Sequence, residues 1–246
     1  MSLLNCLKLK EGEVPMKVAI ITGASRGLGL SLARALADRQ WGLVLDARDP
    51  QALAAVEREL AARTTVVALA GDVTDPVHRA DLVRSAESLG GIDALVNNAS
   101  HLGPSPQPRL ANYPLAELRR VYEVNVVAPL ALFQAARPAL RAGARVIDIT
   151  SDAAVADYEG WGGYGSSKAA LEQLTNVLAA EHPELLVYRV DPGDMRTQMH
   201  QDAFPGEDIS DRPLPDVAVP GLLELLEGER PSGRYQAQAM TEVAPV

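Results

Sequence analysis

The sequence predicts an α/β fold, a doubly wound and mostly parallel sheet of about seven strands flanked by helices. Short runs rich in Val, Ile, Leu and Ala alternate with longer amphipathic segments from residue 17 nearly to the end of the 246-residue chain, the pattern of repeated βαβ units. The short runs lack polar alternation, as strands do when helices cover both faces of their sheet. A glycine-rich turn follows the first run and opens the first helix.

The elements follow in order. Strand 17–22 leads through that turn into a helix over 27–39, and strand 42–47 ends at Asp49-Pro50. An acid before a proline caps a helix whose first position tolerates the missing N–H, so a helix is expected over 50–62. Strand 65–70 repeats the device at Asp75-Pro76, with a helix over 76–89. Strand 94–97 precedes a long helix over 115–141, in which Pro129 and Pro138 introduce kinks or an early end. Strand 145–150, a helix over 163–181, strand 185–191 and a weak seventh strand at 233–236 complete the series. Two proline-rich stretches, 100–114 and 193–215, read as loops. Both leave the C-terminal ends of strands, where doubly wound sheets bind ligands, so they read as pocket walls. Residues 16–246 are expected to form a single catalytic domain behind a flexible extension, residues 1–15.

Composition excludes several classes of partner. The formal net charge is -9, and nucleic acid or an anionic membrane demands a basic face. No apolar run approaches the ~20 residues of a spanning helix, and the N-terminus lacks a secretory pattern. Cys6 is the only cysteine, so an intrachain disulfide and a thiolate cluster are both excluded. A cytoplasmic protein without a metal is expected.

Two motifs carry chemistry. Thr22-Gly23-Ala24-Ser25-Arg26-Gly27-Leu28-Gly29 sits between strand and helix. Its glycines let the backbone approach a pyrophosphate, and the helix N-terminus offers free N–H groups and a positive dipole end. Tyr164 and Lys168, four residues apart, share one helix face. A fixed ammonium is expected to lower the phenol from its ordinary value near ~10 and make it an acid/base. Ser151 stands upstream at the end of an apolar run.

The glycine spacing resembles that of the short-chain dehydrogenase/reductase family, which has a Rossmann-type sheet, and further motifs match it in order. These are Asp72-Val73, Asn97-Asn98-Ala99, Asn125, Ser151, Tyr164-x-x-x-Lys168 and the segment Pro192-Gly193-Asp194-Met195-Arg196-Thr197. The resemblance covers roughly residues 17–235. It implies an NAD(P)-dependent oxidoreductase acting on a carbonyl or secondary alcohol. Gly23, Ser25, Arg26, Gly27, Leu28 and Gly29 would cradle the dinucleotide. Asp72 and Val73 would flank the adenine, Asn98, Ala99, Pro192 and Gly193 would line the cofactor, and Thr197 would hold the carboxamide. Ser151 would hydrogen-bond the substrate oxygen and Tyr164 would exchange its proton. Lys168 would keep Tyr164 acidic and bind the ribose, and Asn125 would hold a water that links Lys168 to solvent. Plainer roles stay open: Asp72 as a turn cap, Asn98 as a partner of backbone groups, Thr197 as a helix cap. The chain departs from the family pattern at Ser100, usually Gly, and at Asp152, usually a small residue.

The end of the second strand bears on the cofactor. Aligning strand ends puts Ala47 where NAD-using members carry an acid, with Arg48 next, so Arg48 and Arg26 are expected to clamp a 2′-phosphate and favour NADP(H). Asp46 is one place away, and NAD(H) stays open. The pocket is expected to draw His101, Tyr158, Trp161, Met195, Met199, His200 and Phe204 from its loops. Apolar excess on the helices over 115–141 and 163–181 predicts a homodimer or homotetramer. A catalytically silent dinucleotide sensor of the same fold is the alternative, and the complete set Asn125, Ser151, Tyr164 and Lys168 argues against it.

Overall fold

The computed structural model describes residues 15–241; the N-terminal extension, apart from Pro15, lies outside them. Seven parallel strands form one sheet in the order β3-β2-β1-β4-β5-β6-β7. They are β1 (Val18–Ile21), β2 (Gly42–Ala47), β3 (Val66–Ala70), β4 (Ile92–Asn97), β5 (Leu140–Ile149), β6 (Leu186–Asp191) and β7 (Gly233–Gln236). The order reverses between β1 and β4, which opens the crevice at their C-terminal ends where such sheets take ligands.

Successive residues of each strand feed opposite faces, and both faces are covered. Ala19 and Ile21 of β1 join one apolar layer with helices α1 (Gly27–Ala37), α2 (Pro50–Leu60) and α8 (Val219–Glu227). Val18 and Ile20 join the other, with α3 (Pro76–Ser88), α5 (Ala128–Ala136) and the end of α6 (Gly162–Glu181). The expected caps form: Asp49 accepts from Gln51 N and Ala52 N, and Asp75 from Val77 N.

Three expectations need correction. The single helix over 115–141 is α4 (Leu115–Tyr122), a π-helical turn (Glu123–Val127), α5 and a short 3-10 turn (Arg137–Ala139). Residue 140 already belongs to β5, whose start is held by Arg141 bound to Asp93 at 2.7 Å. The stretch 193–215 is not wholly loop, because Thr197 caps a short helix α7 (Gln198–Ala203) through a bond from His200 N. Helix α8 was not anticipated at all. Among the described residues no helix is long and apolar enough to cross a membrane, and no group of three or more His, Cys, Asp or Glu is placed to hold a metal.

Candidate active site

One cavity of roughly 880 Å³ runs along the C-terminal ends of the strands. The glycine turn, the end of β2, the segments after β4 and β5, helix α6 and the segment after β6 all line it. Gly23 and Gly27 adopt φ of +67° and +58°, which the turn requires and other residues resist. Asn98 clamps the turn by donating to Thr22 O at 2.9 Å and Gly23 O at 3.1 Å. Helix α1 starts without a side-chain cap, so its leading N–H groups remain available to an anion.

Ser25, Arg26, Gly27, Leu28, Arg48, Asp72, Val73, Asn98, Ala99, Pro192, Gly193 and Thr197 all border this cavity beside Gly23. Three of them also do the plainer work left open by the sequence. Asp72 accepts from Thr74 N and Thr74 Oγ1, contacts that hold its carboxyl below the ordinary range. Asn98 serves backbone groups, and Thr197 caps α7. Gly29 is the exception among the expected cofactor residues. It does not border the cavity, and a Cβ there would lie 2.5 Å from Gly23 O, so it lets the helix pack beneath the turn.

Ser151, Tyr164 and Lys168 border the other end of the same cavity. Helix α6 comes close to the Ser151 segment because Gly165 has no side chain; a Cβ there would meet Ala153 O at 2.5 Å. Tyr164 packs against Leu102 and Ala153, with Trp161 edge-on at 5.9 Å between ring centroids. Lys168 Nζ lies 5.5 Å from the Tyr164 ring centroid and donates to Ile149 O at 2.7 Å.

The electrostatics of the pair are set by burial. Burial pushes the Tyr164 phenol up to about 12, with a hydrogen bond to the Ser100 hydroxyl opposing the rise and the Asp191 and Asp152 carboxylates adding to it. The ring is buried, and the Lys168 ammonium is directed at a backbone carbonyl. Lys168 is itself pushed down to about 8 by burial, with Asp148 opposing.

That shift carries a stability prediction. Below pH 8 the amine is charged in both folded and unfolded chains, and the full burial cost applies. Between about 8 and 10.5 the folded protein releases the proton first, so stability recovers as pH rises. Lys168→Met is therefore expected to stabilise the protein at pH 7 by up to about 3 kcal/mol, and this advantage shrinks toward pH 10.5. Urea unfolding of both proteins at pH 7 and pH 10 checks it.

Asn125 sits on the π-helical turn, behind the cavity wall. It does not border the cavity and is 1% exposed. Its Oδ1 accepts from His101 N at 2.8 Å and Ser100 Oγ at 3.2 Å, and its Nδ2 donates to His101 O at 2.9 Å and Ser167 Oγ at 3.0 Å. An amide has two donor hydrogens and two acceptor lone pairs, so protein groups fill the capacity of the side chain.

Of the expected pocket residues, His101, Trp161, Met195, Met199 and His200 border the cavity, whereas Tyr158 and Phe204 do not. Those two stack outside it against Trp161, at 6.4 Å and 5.7 Å between centroids. Residues that the sequence did not single out support the site. Arg234 of β7 bonds Glu172 at 3.0 Å and Ser151 O at 3.3 Å, while Thr150 also donates to Glu172. Asp46, the competing ribose acid, borders the cavity, but its carboxylate is already bonded within the protein. It is 2% exposed, lies 2.6 Å from His78 Nε2 and accepts weakly from Gly23 N. The histidine raises no signal in the sequence because it lies 32 residues away.

Comparison with known proteins gives a consistent answer. A family model described as short chain dehydrogenase matches residues 17–208. A benzil reductase ((S)-benzoin forming) of Saccharomyces cerevisiae is 32% identical over 76% of this chain and 74% of its own length. A solved short chain dehydrogenase structure from Pseudomonas syringae superposes with a TM-score of 0.84 at 28% identity, covering 94% of this chain and 99% of the other. Another, from Escherichia coli and complexed with NADPH, has a TM-score of 0.80 at 28% identity, covering 90% and 96%.

Proposed function

The chain belongs to the short-chain dehydrogenase family of oxidoreductases, and from that premise we propose that it transfers hydride between NADP(H) and a carbonyl or secondary alcohol, with Tyr164 as acid/base. The observation that carries this proposal is the single cavity bordered at one end by the glycine turn and at the other by Ser151, Tyr164 and Lys168.

The residues present fit a dinucleotide. The turn has the backbone conformation and the uncapped helix start that a pyrophosphate needs. Arg26 and Arg48 border the cavity, and among the described residues neither has an ion pair, although the chain carries an excess of acid. The Asp46 carboxylate is engaged by His78, which favours Ala47 and Arg48, its neighbours on the cavity wall, as the residues that meet the ribose. The NADPH complex of the E. coli relative supports the same preference. The dinucleotide, when bound, supplies or accepts the hydride.

The chain's own groups manage the proton. A carbonyl oxygen gains negative charge as its carbon is reduced, and hydroxyl donors aimed at it stabilise that charge. Ser151 serves as such a donor. Tyr164, neutral through the physiological range, delivers the proton. Lys168 holds its place through Ile149 O and keeps a positive field beneath the ring while it stays charged.

A panel of ketones, aldehydes and quinones, assayed by NADPH and NADH consumption, tests the proposal. Turnover with NADPH at higher kcat/KM than with NADH is expected. Tight nucleotide binding without turnover across the panel would favour a sensor of the same fold.

A further inference from the structure

Ser151 spends its only hydroxyl proton on its neighbour. Its Oγ donates to Asp152 Oδ1 at 2.9 Å, and the same carboxylate oxygen accepts from Ala153 N at 2.8 Å. The other oxygen, Oδ2, accepts from Tyr158 OH at 2.9 Å, which fixes the carboxylate beside the cavity that both Ser151 and Asp152 border. While the proton points at Asp152 it cannot stabilise a substrate oxygen.

Magnitudes decide which acceptor wins. A hydrogen bond to a charged group is worth about 1.5–3 kcal/mol net, against roughly 0.5–1.5 for a neutral one. A plain ketone oxygen, neutral when it binds, therefore does not take the proton from Asp152 in the ground state, and its reduction carries the cost of breaking that bond on the way to the charged transition state. A substrate that brings its own donor does, because the donor satisfies the carboxylate and frees Ser151 for the carbonyl. The gap to bridge, Ser151 Oγ to Asp152 Oδ1, is 2.9 Å. Two oxygens on neighbouring carbons, held on the same side, stand at roughly that separation, on the order of a hydrogen-bond length.

We propose that Asp152 is a specificity-determining residue that withholds the Ser151 proton until a substrate donor replaces it, so that the site selects carbonyl compounds bearing a hydroxyl or N–H on the adjacent carbon. This rests on the carbonyl reduction proposed above. The residue that departs from the family pattern thereby names the substrate class. Asp152 is exposed, and its removal leaves Ser151 Oγ still accepting from Ala153 N at 3.2 Å; it also frees Tyr158 OH and takes away one of the carboxylates that raise the Tyr164 phenol, effects common to every substrate that cancel in a ratio of substrates.

The test is steady-state reduction by the full chain with NADPH. The substrates are α-hydroxyacetophenone, α-methoxyacetophenone and propiophenone, with hydroxyacetone, methoxyacetone and butanone as a smaller set. The methoxy compounds keep the electron withdrawal of the hydroxyl compounds but have no proton to donate. The wild type is expected to favour hydroxyl over methoxy by about ten-fold in kcat/KM. Asp152→Ala is expected to erase that preference by raising the methoxy and alkyl substrates, and Asp152→Asn, with a neutral acceptor, to fall between. An unchanged ratio in Asp152→Ala, or an equal fall for every substrate in both variants, would overturn the proposal. So would a wild type that reduces the alkyl ketones as well as the hydroxy ketones. Absence of any carbonyl turnover by the wild type would instead strike the underlying reaction.

Discussion

Tyr164→Phe is expected to lower kcat/KM for carbonyl reduction by about 10²–10⁴-fold, the range that a positioned general acid contributes, while dinucleotide affinity stays within a few fold. The ring persists in the variant, and with it the contacts to Leu102, Ala153 and Trp161 that seat the start of α6. The fold is therefore expected to survive, so a loss of rate reports on the hydroxyl. Burial, with Asp191 and Asp152 adding to it, lifts the phenol to about 12. The group is thus a proton donor at neutral pH, ready for reduction. Alcohol oxidation needs the phenolate and is expected to accelerate as pH rises, whereas reduction is not limited by this ionisation below about pH 12. Wild-type rates in Tyr164→Phe, or oxidation that slows with rising pH, would remove the role assigned to this side chain.

How much of this was legible in the sequence depends on the range of the interactions. The strands showed because a sheet covered on both faces needs continuous apolar runs, and Ile20, Val44, Leu95 and Val146 are fully buried. The catalytic pair showed because Tyr164 and Lys168 share a helix and the helix period fixes their neighbourhood. The start of β5 did not show, because Arg141 and Gly143 break the apolar run and the arginine finds its partner Asp93 only in the folded sheet. Helix α8 hid behind Pro220 and Gly221, which read as loop residues although proline suits a first helical turn. The saturation of Asn125 was out of reach, since its partners lie 24 and more residues away. Ser100 and Asp152 were visible as departures from a family pattern, but only the fold connects one to the Tyr164 phenol and Asn125 and the other to the Ser151 hydroxyl.

Arg48→Ala is expected to weaken NADPH affinity by about 10–100-fold, the equivalent of the 1.5–3 kcal/mol that a charge-assisted contact contributes, and to leave NADH nearly unaffected. Arg48 follows the last residue of β2, is exposed and borders the cavity; Asp46 two residues earlier borders it too, but is buried and bonded to His78 and Gly23 N. A carboxylate facing the ribose would repel a 2′-phosphate; with Asp46 so engaged, Ala47 presents no such charge. The guanidinium fork of Arg48, with Arg26 bordering the same cavity, suits a phosphate because it engages two oxygens at once. Ala47→Asp reverses the argument, since a carboxylate beside Arg48 pairs with it and opposes the phosphate, so the preference is expected to move toward NADH. Fluorescence titration of both dinucleotides against the three proteins measures the effect. Higher wild-type kcat/KM with NADH than with NADPH, or undiminished NADPH affinity in Arg48→Ala, would place the specificity elsewhere and return Asp46 to the ribose.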